Sequence, residues 1–397
     1  MTIGIDASRA NVAQRTGTER YAWEVIRRLL PMLASHQIRL YVREQLRDDW
    51  PALTPNISVR VLSWPPAILW SHLRLSWELL WHRPDILFVP ADTVPLIHPS
   101  NTVSTIHDVG FERWPELYRQ QSVQRRLGWL RPLVHLAVRV LTGGQYGATE
   151  RDYHRWSARQ AVRSCRTILT VSQFSKQEIV QTLKADSQRI VVTYLGVRQP
   201  DHFAAVTADR RQALLSALGC QRSFFLFLGR LEKKKNIDLV VAAYRRYRRQ
   251  QPNPADLVLA GSPGYGWPEV VKSLADPELA RAVHVLGWQP DEVVDVLQVA
   301  AVALIFVSQY EGFGIPALES LSAGVPVLAS RHGSLPEVLN GAALFVDTGD
   351  IDEVVNGYRR ISLDQRLRHR LIAAGRQRVR SFTWSATAVA TARVIMA

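Results

Sequence analysis

The sequence predicts an α/β protein built from two doubly wound parallel sheets. Short apolar runs of strand length alternate along the chain with longer stretches of helical periodicity. Glycine-bearing turns follow several of the apolar runs, as is typical where parallel strands end at a ligand-binding edge. A chain of 397 residues is long enough for two such domains, each with its own core.

The N-terminal half contains the first alternating series. Thr16 and Gly17 predict a capped turn before a helix over residues 19–30, and another helix is expected after Ser175. Leucine and tryptophan at helical spacing predict a further helix over residues 69–81. The predicted strands cover residues 3–6, 38–42, 59–62, 85–89, 102–106, 167–171 and 189–193.

The C-terminal half repeats the alternation. Residues 196–208 lack periodicity and contain Pro200, so we expect the linker between the domains there. The expected domains are residues 1–200 and 201–380, with residues 381–397 as a last helix that crosses back to the first domain. The predicted elements are strands over 224–228, 256–260, 283–286, 302–307 and 325–329, a helix over 237–249, and terminal helices over 351–397.

Residues 308–320 carry the clearest chemical signal. Gly312 and Gly314 allow a tight turn after a buried strand, and Pro316 marks the first turn of the following helix. Backbone N–H groups that are free at such a helix start, together with the helix dipole, bind phosphate. The stretch therefore predicts a site for a polyanion.

Two carboxylates flank this turn, Glu311 before it and Glu319 one turn into the helix. Carboxylates do not bind phosphate, but they accept hydrogen bonds from hydroxyl groups. The ligand should therefore carry hydroxyls as well as phosphates, and a nucleotide sugar has both.

The composition narrows the classes of partner. The net charge is +14, and residues 1–200 hold most of the surplus, with 26 Lys and Arg against 16 Asp and Glu. This favours an anionic partner, whether phospholipid, diphosphate-linked lipid or nucleic acid. Cys165 and Cys220 have neither CxxC nor Cys/His spacing, so no disulfide framework, zinc site or other metal site is indicated. The N-terminus shows no signal-peptide pattern, which favours the cytoplasm.

Two segments fit either a core or a membrane surface. Arginines recur from Arg119 to Arg166 among apolar residues, which is typical of a basic amphipathic helix on an anionic bilayer or of a solvated helix packed on the core. Residues 142–147 are expected to break this segment as a surface loop. In the 69–81 helix we expect the apolar stripe to face the core, and a membrane interface is the alternative. The stripe consists of Trp70, Leu73, Trp77, Leu80 and Trp81.

Together these motifs resemble the retaining glycosyltransferases of family 4, whose GT-B fold consists of two Rossmann-like domains facing a central cleft. The most specific element is Glu311 followed, after seven residues, by Glu319. The further matching elements are Gly229, Arg230 and Lys235, the run from Thr16 to Tyr21, the pair His107 and Asp108, and the run from Val171 to Lys176.

The resemblance implies a role for each matching residue. Arg230 and Lys235 would bind the donor diphosphate and stabilise the leaving group, Glu319 would bind ribose, and Glu311 would contact the transferred sugar. His107 would line the sugar site, and Asp108 is an accessory candidate. The remaining donor contacts would come from Gly17, Gly229, Gly287, Trp288, Gly312, Phe313, Gly314 and Ile315.

The predicted activity is a retaining, metal-independent and cofactor-free transfer of a hexose from a nucleotide diphosphate sugar to a saccharide or lipid-linked saccharide. The run from Thr16 to Tyr21 is similar to that of polysaccharide mannosyltransferases, so GDP-mannose is the first choice of donor. The alternatives are a UDP-hexose transferase, a nucleotide-sugar 2-epimerase and, third, a nucleic-acid binder. The last is disfavoured because no zinc finger, RRM motif or basic zipper is present. We expect the enzyme in the cytoplasm, at the inner face of the cytoplasmic membrane.

Overall fold

The computed structural model describes residues 1–64, 70–118 and 150–397, apart from the side chains of residues 150 and 151. Its strands are β1 (Thr2–Asp6), β2 (Gln37–Val42), β3 (Ile57–Val61), β4 (Ile86–Val89), β5 (Thr102–Thr105), β6 (Thr167–Thr170), β7 (Ile190–Val192), β8 (Phe224–Leu228), β9 (Asp256–Ala260), β10 (Val283–Gly287), β11 (Ala303–Phe306), β12 (Val327–Ser330) and β13 (Leu344–Val346).

The helices of the described residues alternate with these strands. They are α1 (Gly17–Met32), α2 (Ser76–Trp81), α3 (Gly110–Arg113), α4 (Glu150–Ser164), α5 (Gln173–Leu183), α6 (Pro200–Ala204), α7 (Ala208–Ala217), α8 (Ile237–Arg249), α9 (Trp267–Leu274), α10 (Pro277–Ala280), α11 (Asp291–Ala300), α12 (Ile315–Ser322), α13 (Leu335–Leu339), α14 (Ile351–Leu363), α15 (Gln365–Val379) and α16 (Trp384–Met396). A π-helix at Trp70–Leu75 runs into α2, and 3₁₀ turns lie at Pro115–Leu117, Ser187–Arg189 and Lys233–Lys235.

The chain divides into two compact units. Unit 1 comprises Met1–Gly196 with Trp384–Ala397, and unit 2 comprises Val197–Thr383. The divisions predicted from the sequence followed residues 200 and 380. Nowhere in the described part of the chain is a helix both long and apolar enough to span a lipid bilayer.

Unit 1 is built on a parallel sheet whose order, over the described strands, is β3-β2-β1-β4-β5-β6-β7. The central strand β4 is buried on both faces, which explains its continuous apolar run. Helix α16 returns to this unit and packs along α1. Thr387 Oγ1 donates to Tyr194 O at 2.7 Å, and Arg166 donates to Val394 O at 2.7 Å, so both ends of α16 are attached to the unit.

Unit 2 has a second parallel sheet, with the order β10-β9-β8-β11-β12-β13. Its core joins the sheet to α8 and α14 through buried aromatic and aliphatic side chains. The direction of strand order reverses between the neighbours β8 and β11. In open α/β sheets the ligand crevice lies beyond the carboxyl ends of the strands at such a reversal. The turns after β8 and β11 are therefore the expected site of binding.

The core prediction for the aromatic stripe is wrong for three of its residues. Trp70 is buried, but Trp77, Leu80 and Trp81 are 63%, 51% and 68% exposed. The cause is the π-helix before α2, which winds with i to i+5 hydrogen bonds and so changes the face presented by the residues that follow. Leu75 and Leu79 take the inward positions instead.

The boundary between the two units, at Gly196 and Val197, lies at the start of the predicted linker, and part of residues 196–208 is helical. Pro200 begins α6 at its first helical position, where a missing N–H costs nothing, and Thr207 Oγ1 accepts from Arg210 N at 3.3 Å as the cap of α7. Helix α5 likewise begins at Gln173, before Ser175, because Ser172 is its N-cap and accepts from Ser175 N at 3.0 Å.

The predicted basic segment lies only partly within the described residues. Its positions 119–149, including the loop expected at 142–147, lie outside them. In α4, Arg155 Nε and Arg159 Nη2 lie 2.9 and 3.0 Å from the carboxylate oxygens of Glu112. These two arginines are therefore paired with a carboxylate of their own unit.

Candidate active site

The turn after β8 holds the first part of the site. Gly229 has φ +135°, and a Cβ on the neighbouring Gly261 (φ +150°) would lie 1.9 Å from Gly229 O. Glycine at position 261 therefore lets the ends of β8 and β9 approach closely. Gly229 N donates to Ala260 O at 3.0 Å. The chain then makes the 3₁₀ turn through Lys235 before α8 begins.

Lys235 and Glu311 meet at the switch point of the sheet. Lys235 Nζ lies 2.5 Å from Glu311 Oε1, and Ser308 Oγ donates to the same oxygen at 2.9 Å. Both charged side chains are largely buried. Lys235 Nζ also lies 5.1 Å from the centre of the Phe306 ring. The structure thus brings together the residues after β8 and β11 that the sequence singled out separately.

The turn after β11 depends on two glycines with positive φ. Gly314 (φ +94°) is the N-cap residue of α12, and Leu318 N and Ala317 N donate back to its carbonyl. Gly333 (φ +64°) lies against the backbone of Glu311, where a Cβ would be 2.6 Å from Glu311 O. Ser334 N and Oγ both donate to that carbonyl at 3.0 Å. The backbone of Glu311 is therefore fixed by a neighbouring loop.

Glycine at position 324 terminates α12. Gly324 has φ +76°, Gly324 N donates to Leu321 O at 3.1 Å, and Val325 N donates to Ser320 O at 2.8 Å. This pair of bonds is a Schellman motif, which satisfies the last carbonyls of the helix. Both ends of α12 are thus defined by glycine.

Glu319 is buried on α12 and is held by Arg198. Arg198 Nε and Nη2 donate to the two Glu319 oxygens at 2.9 and 2.5 Å. Arg198 also contacts the Asp295 carboxylate through Nη1. Burial acts to lower the pKa of the Arg198 guanidinium, but Glu319 and Asp295 outweigh it and the pKa is raised. Burial raises the pKa of the Asp295 carboxyl, and Arg198 and His202 oppose this rise only in part.

Other predicted donor residues lie around these two pairs. Arg230 is 53% exposed, and its Nε lies 3.6 Å from Glu232 Oε2. Gly287 (φ +69°) accepts through its carbonyl from Gly261 N at 2.7 Å, and Trp288 beyond it is exposed. Of the turn before α12, Gly312 and Phe313 are buried and Ile315 is half-buried.

The predicted residues His107 and Gly17 belong to unit 1. His107 packs edge-on against Tyr21 with ring centres 4.8 Å apart, and burial lowers the pKa of its imidazole. Asp108 Oδ1 accepts from Gly110 N at 3.0 Å, so this accessory candidate binds the backbone at the start of α3. Gly17 begins α1, and a Cβ there would meet nothing within 4 Å.

Sequence reasoning missed an acidic residue at the same edge of unit 1. Asp92 follows β4, and His154 Nδ1 lies 3.4 Å from its Oδ2. Burial acts to raise the pKa of the Asp92 carboxyl, but His154, Arg9 and His107 lower it, and the net shift is downward. The rule that selected His107, a polar side chain just beyond a strand end, would also have found Asp92.

Arg198 and Asp295 were missed as well. Arg198 lies in the segment that the sequence marked as a linker, and no local pattern indicates its partner 121 positions later. Within residues 1–64, 70–118 and 150–397, no group of three or more His, Cys, Asp or Glu side chains could hold a metal ion.

Comparison with known proteins identifies the catalytic class. Residues 217–378 match the family model described as "Glycosyl transferases group 1". The protein is a glycosyltransferase with a group 1 domain. The matched residues lie within unit 2. They include the Lys235–Glu311 pair and Glu319, the carboxylate that Arg198 binds.

Relatives of this transferase support the same class. It is 27% identical over 373 residues to the O-antigen chain mannosyltransferase B of Escherichia coli, with 93% of each chain covered. It is also 27% identical over 305 residues to the O-antigen chain mannosyltransferase RfbU of Salmonella typhimurium, covering 76% of this chain and 72% of the relative.

Solved structures confirm the predicted GT-B fold class. The transferase matches WaaG, a glycosyltransferase involved in lipopolysaccharide biosynthesis, with a TM-score of 0.68, 16% identity and 100% and 99% of the two chains covered. It matches the sucrose-phosphate synthase of Thermosynechococcus elongatus with a TM-score of 0.69, 18% identity and 99% and 97% covered. The prediction of the fold class is therefore confirmed, and the family match and the relatives confirm the prediction of a transferase enzyme.

Proposed function

We propose that the transferase moves a hexose, with retention and without a metal ion, from a nucleotide diphosphate sugar to a saccharide or lipid-linked saccharide in polysaccharide synthesis. The observation that carries this proposal is the contact of Lys235 with Glu311 at the switch point of unit 2, beside the start of α12. A cation, a carboxylate and a helix N-terminus at one point suit a ligand with both phosphates and hydroxyls.

GDP-mannose is the proposed donor. Both O-antigen relatives described above are named as mannosyltransferases, and the Thr16 to Tyr21 run resembles that of polysaccharide mannosyltransferases. A UDP-hexose is the alternative, because backbone contacts near Gly287 and Trp288 would discriminate little between bases.

In the proposed reaction the bond from the anomeric carbon to the diphosphate oxygen breaks. The acceptor hydroxyl oxygen forms the new glycosidic bond on the same face, and its proton passes to the leaving phosphate oxygen. Lys235, Arg230 and the start of α12 compensate the negative charge that develops on the diphosphate, and preorganised charges of this kind lower the barrier without reorganisation. Glu311 orients the sugar and Glu319 orients the ribose. From unit 1, His107 lines the sugar site and Gly17 contacts the donor.

The test is donor turnover by purified protein with GDP-mannose, UDP-glucose and a panel of saccharide acceptors. Lys235→Ala should abolish release of nucleotide diphosphate and Glu319→Gln should sharply lower it at donor concentrations below KM, while Lys233→Ala, on the exposed side of the same turn, should retain it. Unchanged turnover in both site variants would refute the assignment. Incubation of the donor alone separates the 2-epimerase alternative, which would produce an epimer without an acceptor. A ligand at about 100 times its Kd should stabilise the protein by roughly 2.7 kcal/mol, so thermal-shift screening ranks the donors.

We also propose that unit 1 contacts an anionic membrane, at the inner face of the cytoplasmic membrane. The exposed side of α2, here called the α2 face, consists of Trp77, Leu80 and Trp81. These residues share one side of the helix at spacings of three and four. Tryptophan is enriched at membrane interfaces, where its ring can sit among the headgroups.

Basic side chains border the α2 face. Arg39 donates to His82 O at 2.8 Å, next to Trp81, and Arg83 donates to His98 O at 3.0 Å. Each basic residue near an anionic leaflet contributes about 1 kcal/mol to binding. The combination of exposed tryptophan with arginine therefore favours anionic lipid over a neutral partner.

Sedimentation with vesicles tests this contact. The wild type should sediment with anionic vesicles at low salt and remain in solution with zwitterionic ones, and Trp77→Ser with Trp81→Ser should abolish sedimentation. Leu363→Ser, an exposed apolar residue of unit 2, is the matched control and should sediment normally. Binding to random DNA in a gel shift, with no sedimentation, would support the nucleic-acid alternative instead.

A further inference from the structure

Arg198 forms a two-pronged ion pair with the carboxylate proposed to bind ribose. Its Nε donates to Glu319 Oε1 at 2.9 Å and its Nη2 to Glu319 Oε2 at 2.5 Å. The side chains are only 11% and 6% exposed. This parallel geometry fixes both carboxylate oxygens in position, which a single lysine could not do.

The arginine is itself fixed from several directions. Ser322 Oγ donates to Arg198 O at 2.6 Å, which ties its backbone to the C-terminal end of α12. Nη2 also donates to Gln298 Oε1 at 3.2 Å, and Nη1 contacts Asp295. The guanidinium lies 5.3 Å from the centre of the Phe203 ring. Arg198 is thus held against α11 and α12, and Glu319 is held through it.

The buried charges explain why this arrangement matters for a ligand. Glu319 and Asp295 are both buried carboxylates, and a buried charge is costly unless an opposite charge pairs with it. His202 Nε2, 2.6 Å from Asp295 Oδ2, faces the outer side of the cluster. An ionised carboxylate has about four acceptor positions, and the Arg198 pair uses two of them.

We propose that Arg198 is the positioning residue for the nucleotide ribose: it holds the Glu319 carboxylate so that its two remaining acceptor positions receive the ribose 2′ and 3′ hydroxyls. This rests on the proposed function, in which Glu319 binds ribose. Arg198 itself does not touch the nucleotide. Its contribution is therefore expressed only with nucleotides that carry both hydroxyls.

The chain provides a matched control for this ion pair. Arg210 Nε and Nη2 lie 2.6 and 3.0 Å from the two oxygens of Glu292, in the same two-pronged geometry. That pair lies on the exposed surface of the same unit. Arg210→Met therefore removes an equivalent fork without affecting Glu319.

The experiment measures Kd by calorimetry for GDP and UDP and for their 2′-deoxy and 2′,3′-dideoxy forms. Wild type and Arg210→Met should prefer the ribose form by about tenfold or more, as expected for hydrogen bonds to a charged acceptor. Arg198→Met should lose most of this preference, with little change in Kd for the dideoxy form. Arg198→Lys, which keeps the charge but not the fork, should retain part of it.

Steady-state kinetics provide the second measurement. Ribose binding stabilises the ground state and the transition state equally, so Arg198→Lys should raise the KM for the donor several-fold and leave kcat nearly unchanged. Glu319→Gln should remove the same ribose preference, and adding Arg198→Lys to it should have no further effect on that preference. Because Arg198→Lys keeps the cation among the buried carboxylates, it also serves if Arg198→Met does not fold.

Two results would overturn the inference. One is that both Arg198 variants bind ribose and dideoxy nucleotides more weakly by the same factor, which would indicate a general structural role. The other is an unchanged ribose preference in both. If wild type binds no nucleotide diphosphate, the proposed function fails and the inference fails with it. If wild type prefers ribose and the Arg198 variants do too, only the inference fails.

Discussion

Lys235 Nζ lies 2.5 Å from Glu311 Oε1, so the cation proposed for the donor diphosphate and the carboxylate proposed for the sugar neutralise each other. A diphosphate must therefore compete with Glu311 for Lys235. Because of this competition, a change at Glu311 should affect nucleotide binding and sugar transfer in opposite directions.

The first prediction concerns Glu311→Gln. Without the carboxylate, Lys235 keeps its full charge for the ligand, so we expect the nucleotide diphosphate alone to bind a few-fold more tightly. Transfer should fall by about 100-fold or more, because the sugar loses a charged hydrogen-bond partner. Calorimetry of the diphosphate and steady-state kcat measure the two effects. Weaker binding of the diphosphate would contradict this reading of the ion pair.

The second prediction concerns Lys235→Met. Removing a cation aimed at developing charge should reduce kcat by about 100- to 1,000-fold. The exposed neighbour Lys233 serves as the control, and Lys233→Met should remain within about twofold of wild type because it makes no comparable buried contact. A similar loss of kcat in both variants would mean that the Lys233–Lys235 turn contributes only its overall positive charge.

The third prediction compares two glycines with positive φ. Gly341 has φ +79° and open space where a Cβ would lie, so Gly341→Ala should cost only the left-handed strain of about 1–2 kcal/mol and leave transfer intact. Gly333→Ala adds a collision with the Glu311 backbone and should cost more and abolish transfer. Urea unfolding and turnover measure both. Retained activity in Gly333→Ala would show that the Glu311 loop can shift without consequence.

The fourth prediction concerns His72 in unit 1. Burial lowers the pKa of this imidazole from 6.5 to about 4, although its contact with Val94 O at 2.7 Å opposes the shift. The folded state therefore keeps His72 neutral while the unfolded state takes up a proton below about pH 6.5. Stability is present above that pH and is lost as pH falls towards 4, by about 2 kcal/mol between pH 7 and pH 5.

Thermal unfolding as a function of pH checks this sign. His72→Gln should be less stable at pH 7 but should lose less stability than wild type on acidification to pH 5. His369→Gln, at an exposed position of unit 2, controls for the loss of one imidazole. A steeper loss in His72→Gln than in wild type would show that His72 is not the group responsible.

Much of the architecture could be predicted because strand and helix patterns are local. The strand over residues 224–228 and the helix over 237–249 have the predicted bounds, since a continuous apolar run and an amphipathic period lie next to one another in the chain. Prediction failed at Trp77 and Trp81, because a π-helical turn in the preceding residues changes which side faces inward. Periodicity assumes a constant turn per residue and cannot register such a change.

In the candidate site, too, some residues could be predicted from the sequence and others could not. Glycines at 229, 312 and 314 and the carboxylates of Glu311 and Glu319 were recognisable from the sequence by themselves, because each belongs to one short turn whose chemistry is local. Only the tertiary structure decided that Lys235 meets Glu311 and that Arg198, from a segment predicted as linker, meets Glu319. Those partners are 76 and 121 positions apart, and only sheet order and helix packing bring them together.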